Sequence, residues 1–477
     1  MKKKFIICTM IFLLCCFPIT SMDNVEASEQ TMTTKVNSII SKNWKNNEYS
    51  ITVRDMETGN ILYNKNGDKM IRPASTHKLL VSAAALDLLG PDYRFETKVY
   101  VDGPIEEGVL HGNIYLQGGG DPTLLPVHLE SFANGLKKIG ISKITGSLIA
   151  DDTWFDKDRL AKGIVPQDEA LSYASRISAL TISPNDQYDI ATVQVKVTGS
   201  KIGTMANVQL APFASTIPIV NKTRIVKKGE KNTVAITREY GTDRIVVKGN
   251  LPAGTEKSTY VTVYDPTLYT LDVFREKLLA KGIQTMPLEV GEVPDHAMRV
   301  GISYSKPLKD INFRFLKLSI NGMGEMLTKQ LGRELLGEGS WSAGIQAIRT
   351  YGNDNGLNME QWYFEDGSGL NHQNRVSSMQ ESLLLYKIRS KSWYYSYLDA
   401  LPQAGRKGKL VGATLENRLQ GYSVSAKTGY ISGAHALSGY VKGKSGKWYI
   451  FSILTQANKT SAIPTIDDIV KQIANEL

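Results

Sequence analysis

Pro73-Ala74-Ser75-Thr76-His77-Lys78-Leu79-Leu80-Val81-Ser82-Ala83-Ala84-Ala85-Leu86 opens on turn residues, becomes apolar at nearly every position and stops at Gly90-Pro91. These are the start and stop signals of a helix, and a helix apolar on most sides is buried. Ser75 and Lys78 stand three residues apart, which puts them on one helix face with the amine in reach of the hydroxyl. Apolar surroundings lower the pKa of a lysine amine, so Lys78 can take a proton from a hydroxyl that is otherwise a poor nucleophile. Alone, the pattern has a plain structural explanation: an N-capping serine followed by an exposed lysine. It also occurs at Ser303-Tyr304-Ser305-Lys306, where Pro307 follows at once and the surroundings read as a turn.

Upstream, residues 51–66 read as two strands around a Thr58-Gly59-Asn60 turn. Downstream, from about Tyr93 to Tyr304, the texture changes. Short β-branched runs at 190–195, 233–237 and 244–247 alternate with Gly, Pro, Asn and Asp clusters, which predicts mainly β modules. Helical patterns return at Ser319, where Ser319-Ile320-Asn321 immediately precedes the pattern at 325–331 and places a hydroxyl and an amide at a helix start. Residues 421–427 read as a strand that Lys427-Thr428-Gly429 ends, with the glycine allowing a substrate backbone to approach closely. Residues 436–442 and 448–456 form a hairpin across 443–446. Ile466, Ile469, Val470, Ile473 and Leu477 form the stripe of a final helix; with Asp467, Asp468 and Glu476 on its other faces, it packs on the core rather than on a membrane surface.

Other chemistries find little support. None of the six histidines forms a His-x-x-x-His pair, and the sequence points to no metal and no cofactor. The run Gly118-Gly119-Gly120-Asp121-Pro122 reads as a turn, not a phosphate loop, and no Gly-x-Ser-x-Gly motif sits between a strand and a helix. Lys2, Lys3 and Lys4, the apolar run 5–17 and the Val25-Glu26-Ala27 site read as a signal peptide, cleaved after Ala27, for a secreted protein. Cys8, Cys15 and Cys16 all lie in that segment, so the mature chain has no cysteine with which to form a disulfide. Losing Lys2, Lys3, Lys4, Asp23 and Glu26 changes the net charge from +9 to +8, which favours an anionic cell-wall or membrane surface. Export argues against a nucleic-acid partner, and the basic run 225–231 has no aromatic residue.

Ser75-x-x-Lys78, Ser319-x-Asn321 and Lys427-Thr428-Gly429, in this order and on these elements, form the signature of penicillin-binding proteins and serine β-lactamases. With the long gap between Lys78 and Ser319, the chain resembles the class C low-molecular-weight penicillin-binding proteins, the D-alanyl-D-alanine carboxypeptidase and endopeptidase family. Gly119-Gly120-Asp121-Pro122-Thr123-Leu124, Asp151-Asp152-Thr153-Trp154-Phe155-Asp156, Ile177-Ser178-Ala179-Leu180 and Asp366-Gly367-Ser368-Gly369-Leu370 extend the likeness over the mature chain. The resemblance implies an α/β fold: a transpeptidase-like domain (28–93 and 300–477) carrying two nested, mainly β inserts, one at 94–123 and 196–299 and the other at 124–195. It implies stem peptides ending in D-Ala-D-Ala as substrate and β-lactams as acylating inhibitors.

The resemblance also implies roles. Ser75 is acylated, Lys78 is its base, Ser319 relays the proton to the leaving amine and Asn321 holds the substrate amide. Lys427 and Thr428 bind the terminal carboxylate, and the backbone N–H groups of Ser75 and Tyr430 form the oxyanion hole. Asp168, with Tyr173 beside it, receives the side-chain ammonium of the third stem residue. There are two departures from the family pattern. Tyr430 replaces a small hydroxyl residue after Lys-Thr-Gly, and Asn371-His372 stands where relatives often carry an arginine for a carboxylate on that third residue, so a carboxylate there is expected to be held weakly. Two alternatives use the same motifs. A β-lactamase would need a deacylating Glu-x-x-x-Asn element and Ser-Asp-Asn, which 321–427 does not offer; a non-catalytic β-lactam sensor would need a membrane span.

Overall fold

Along Glu48–Asp55 both strand faces are covered, and the strand pairs antiparallel with Trp448–Gln456, Ser50 facing Leu454 and Val53 facing Phe451. The two ends of the chain thus meet in one sheet. In the computed structural model, which describes residues 20–284, 287–456 and 462–477, this antiparallel sheet has the order 61–65, 48–55, 448–456, 434–442, 424–431. Helices Thr20–Asn43 and Ile463–Glu476 cover one face, where Met32, Val36, Ile40, Ile466, Ile469, Val470 and Ile473 pack with Val53, Leu437 and Phe451. Each such side chain contributes about 1.5–3 kcal/mol by leaving water, so the final helix is a core helix, as its stripe predicts. The expected cleavage point after Ala27 falls within the first helix. The apolar run 5–17 and all three cysteines lie outside the described residues.

On the other face of the sheet, helix Ser378–Lys387 packs against Glu48–Asp55 and Trp448–Gln456. Helix Lys78–Leu88, preceded by a 3-10 turn at Ala74–His77, lies inside a layer made with Leu308–Leu318, Asn321–Leu336 and Trp341–Asp354. Every residue from Lys78 to Leu86 is buried, as the apolar sequence requires. Ser303, in the second copy of the motif, lies in strand Met298–Tyr304 facing Thr97, so it shares no helix with Lys306 and the expected turn is a strand.

The β-branched runs of the middle region become strands Thr192–Thr198, Ala235–Arg238 and Ile245–Pro252, but strand pairing partitions the inserts differently from the expectation. Leu148–Asp151 runs parallel to Ile114–Gly118, and Leu288–Val290 runs parallel to Leu148–Asp151. The first inserted sheet has the order 288–290, 148–151, 114–118, 96–101, 298–304. Helices Pro126–Lys138 and Pro266–Ala280 pack on it. This insert is therefore α/β, built from about 96–151 and 266–304, rather than mainly β from 94–123 and 196–299. The second insert is two three-stranded sheets within 192–262, not 124–195. Pro126 at the first helical position and the Leu129, Phe132, Ala133, Leu136 stripe are ordinary helix signals.

Candidate active site

The 3-10 turn Ala74–His77 and the helix after it place Ser75 Oγ 2.8 Å from Lys78 Nζ. The ammonium position is buried, and Nζ also lies 2.8 Å from Asn321 Oδ1 and 2.6 Å from the Ser368 carbonyl. Burial pushes Lys78 down to about 7, against the opposing pull of the Asp366 and Glu325 charges. The last two oxygens can only accept, so a neutral amine gives them its two hydrogens and turns its lone pair to Ser75. His77, between the two residues, points elsewhere. Its Nδ1 accepts from Trp362 Nε1 at 3.3 Å, its Nε2 donates to the Asp366 carbonyl at 3.1 Å, and burial takes it down to about 4.

Ser319 closes helix Leu308–Leu318 in a left-handed conformation, φ 58° and ψ 40°. This is a costly backbone state for a residue with a Cβ, and it presents Oγ to Lys427 Nζ at 2.8 Å. Lys427 is fully buried and also donates to the Thr428 carbonyl at 2.8 Å; burial, then the charge of Lys78, hold it well below the usual lysine range. Asn321 opens helix Asn321–Leu336, its Oδ1 on Lys78 and its Nδ2 donating to the Tyr173 carbonyl at 3.1 Å.

Lys427-Thr428-Gly429 lies in the middle of strand Val424–Ile431, not at its end. A Cβ on Gly429 would stand 2.5 Å from the Pro73 carbonyl and 3.2 Å from Ala74 Cβ. The glycine is thus required by the backbone that carries Ser75.

A cleft of about 460 Å³ opens over Ser75. Ser319, Asn321 and Tyr430 line it from the peptidase domain, and 163–165, Asp168 and Tyr173 from the loop between the inserted elements. Tyr430 is exposed and rests on the His435 ring. Tyr173 is pushed up to about 12 by burial and by the neighbouring Asp168 carboxylate. His372 lines the same cleft; its Nδ1 accepts from Arg72 Nη1 at 3.3 Å, and Arg375 Nη1 donates to its carbonyl at 2.6 Å. Burial and those two guanidinium charges hold His372 below its ordinary value. Two guanidinium groups, those of Arg72 and Arg375, therefore stand beside His372.

The sequence reading missed the carboxylates behind the site. Glu325, in helix Asn321–Leu336, accepts from the backbone N–H groups of Gly367 at 2.8 Å and Ser368 at 2.9 Å and from Trp341 Nε1 at 2.8 Å. It fixes the strand of backbone whose Ser368 carbonyl holds Lys78. Burial, then the Asp366 charge, push it up to about 7. Asp366 accepts from the N–H groups of Gly369 and Asn371 and from Asn374 Nδ2. The Asp366-Gly367-Ser368-Gly369 run was the only sequence signal for this layer.

The profile of the D-Ala-D-Ala carboxypeptidase 3 (S13) family matches residues 32–477. A D-alanyl-D-alanine carboxypeptidase of Actinomadura sp. (strain R39) is 35% identical over 430 residues, covering 88% of this chain and 80% of that protein. The D-alanyl-D-alanine carboxypeptidase DacB of Haemophilus influenzae is 25% identical over 407 residues, 83% of each. The crystal structure of penicillin-binding protein 4 from Haemophilus influenzae has the same fold, with a TM-score of 0.78 at 22% identity over 91% of this chain and 98% of that one. A second structure of that protein holds a β-lactam and matches with a TM-score of 0.73.

Proposed function

Because the chain belongs to the D-Ala-D-Ala carboxypeptidase 3 (S13) family, we propose that Ser75 is its nucleophile and Lys78 the base that activates it. The enzyme is a serine-type D-Ala-D-Ala carboxypeptidase with the penicillin-binding, transpeptidase-like fold, acting on peptidoglycan stem peptides. The observation that carries the residue assignment is the contact set of Lys78 Nζ, two acceptor-only oxygens and the Ser75 hydroxyl.

Ser75 Oγ gives its proton to Lys78 and attacks the carbonyl of the penultimate D-alanine, whose oxygen draws on the backbone N–H groups of Ser75 and Tyr430. The C–N bond breaks, and Ser319, hydrogen-bonded to Lys427, passes a proton to the leaving amine. The carboxylate of the departing D-alanine binds Lys427 and Thr428. Lys427 has two of its three ammonium hydrogens engaged, and a carboxylate at the third favours its charged form. Asn321 retains an N–H for the substrate amide, and Asp168 with Tyr173 meets the side-chain ammonium upstream. Water then hydrolyses the ester. A β-lactam enters the same acyl-enzyme and stays.

Peptidoglycan lies outside the cytoplasm, and the enzyme works there. Residues 1–27 serve as the signal peptide, cleaved after Ala27, and the +8 charge of the mature chain favours the anionic wall. D-Alanine release from a stem pentapeptide with a free terminal carboxylate, compared with its C-terminal amide, tests the reading. The free acid should turn over at least about tenfold faster, because the amide leaves Lys427 without its counter-charge; equal rates would overturn the carboxylate site.

A further inference from the structure

Asp168 and Tyr173 reach the cleft from a loop with little structure of its own: after the 3-10 turn Pro166–Asp168 there is no helix or strand before Thr192. Side chains on a loop are placed accurately only where a rigid scaffold holds the loop. At one end the scaffold is the peptidase domain, where the Tyr173 carbonyl accepts from Asn321 Nδ2. At the other it is the second insert, and none of the residues 192–262 lines the cleft.

That second attachment converges on one side chain. Arg238, in strand Ala235–Arg238, and Glu169, next to Asp168 in sequence, have side chains only 1% and 3% exposed. Arg238 Nη2 lies 3.1 Å from Glu169 Oε1 and donates to the Glu169 carbonyl at 3.1 Å. Its Nε donates to the Thr262 carbonyl at 2.9 Å and its Nη1 to the Thr242 carbonyl at 2.7 Å. The Thr262 hydroxyl donates to the same Glu169 carbonyl, the Thr262 N–H to the Ala170 carbonyl at 3.3 Å, and Leu171 bridges Val261 antiparallel. Arg176 closes the cluster, with Nη1 3.1 Å from Glu169 Oε1 and its guanidinium 4.3 Å over the Tyr264 ring.

A buried ion pair is a weak device for stability, because removing both charges from water costs about what their attraction returns. It is a strong device for geometry: a planar guanidinium with donors in fixed directions allows its acceptors one arrangement. Here those acceptors are two carbonyls of the second insert and both the backbone and the side chain of the residue that follows Asp168.

We propose that Arg238 is a positioning residue for substrate recognition: through Glu169 it holds the 168–171 backbone against the second insert and fixes where Asp168 meets the side-chain amine of the stem peptide. The second insert thereby takes part in specificity from outside the cleft. The proposal rests on the assignment of Asp168 above.

The test compares wild type, Arg238→Met and Thr262→Val, with circular dichroism reporting the fold. The readouts are KM and kcat on stem-peptide mimics with a free or an acetylated side-chain amine, acylation by benzylpenicillin, which brings no amine to Asp168, and amide hydrogen exchange of residues 168–173. In Arg238→Met, KM for the free amine should rise at least about tenfold with kcat within about threefold, since a misplaced carboxylate loses binding and not chemistry. KM for the acetylated mimic and the acylation rate should stay within about twofold of wild type, and exchange at 168–173 should quicken. Thr262→Val removes one hydroxyl from the cluster and leaves the buried charges paired, so it should show the same pattern at about threefold in KM and carries the test if Arg238→Met does not fold. Wild-type KM and exchange in the folded variants would overturn the proposal. So would an equal loss for both mimics and for acylation, which would make Arg238 merely structural. A wild type that does not distinguish the two mimics would instead reject the assignment of Asp168, and this role of Arg238 with it.

Discussion

Replacing Lys78 by arginine keeps a cation in the site and removes its ability to act as a base. Burial moves the lysine from 10.5 to about 7, a bias of ~5 kcal/mol against the charged form. At pH 7 roughly half of the wild-type enzyme then carries a neutral amine beside Ser75. A guanidinium starts at about 12.5–13.8 and, with the same bias, stays above about 9, leaving ~1% or less neutral. The expected loss of acylation at pH 7 is therefore about 10²–10³-fold. The assay is the second-order rate constant of acylation by a fluorescent penicillin from pH 5.5 to 8.5, with circular dichroism confirming that the variant is folded. In wild type the rate should rise about tenfold from pH 5.5 to 6.5, pass its midpoint near 7 and level off above about 8, because only the deprotonated amine reacts. A folded Lys78→Arg enzyme acylated within about tenfold of wild type, or a wild-type rate that is flat or falling over this range, would refute the reasoning.

Gly429→Ala should lower stability by about 1–3 kcal/mol and slow acylation, since the added methyl meets the Pro73 carbonyl rather than a movable side chain; urea unfolding and acylation kinetics read the two effects, and wild-type values for both would contradict the packing argument. Asp168→Asn should abolish the preference for stem-peptide mimics with a free over an acetylated side-chain amine, a preference of at least about tenfold in wild type, because an ammonium in the cleft loses its compensating charge; equal wild-type turnover of the two mimics would remove Asp168 from the recognition site.

What the sequence made legible is what is encoded locally. The helix after Ser75, the C-terminal hairpin and the final helix follow from 3.6- and 2-residue periodicity with turn residues at their ends, and their bounds lie within a few residues of expectation. The three motifs meet because each occupies the end or face of one such element. Strand partners were not legible: a β-branched run identifies a strand but not that 148–151 pairs with both 114–118 and 288–290. The contact of Gly429 with the Pro73 backbone, far away in sequence, was not legible either. Arg72 reaches His372 across 300 residues, and Glu325 looks like an ordinary polar helix position until the loop at 367–368 buries it.

The central claim, that Ser75 is the acylated nucleophile, is tested most directly by mass spectrometry of the intact protein after penicillin treatment, followed by peptide mapping. One penicilloyl adduct should form, on the peptide containing Ser75, in wild type and in Ser303→Ala, and none in Ser75→Ala. An adduct that persists in Ser75→Ala, or one mapped to another serine, would contradict it.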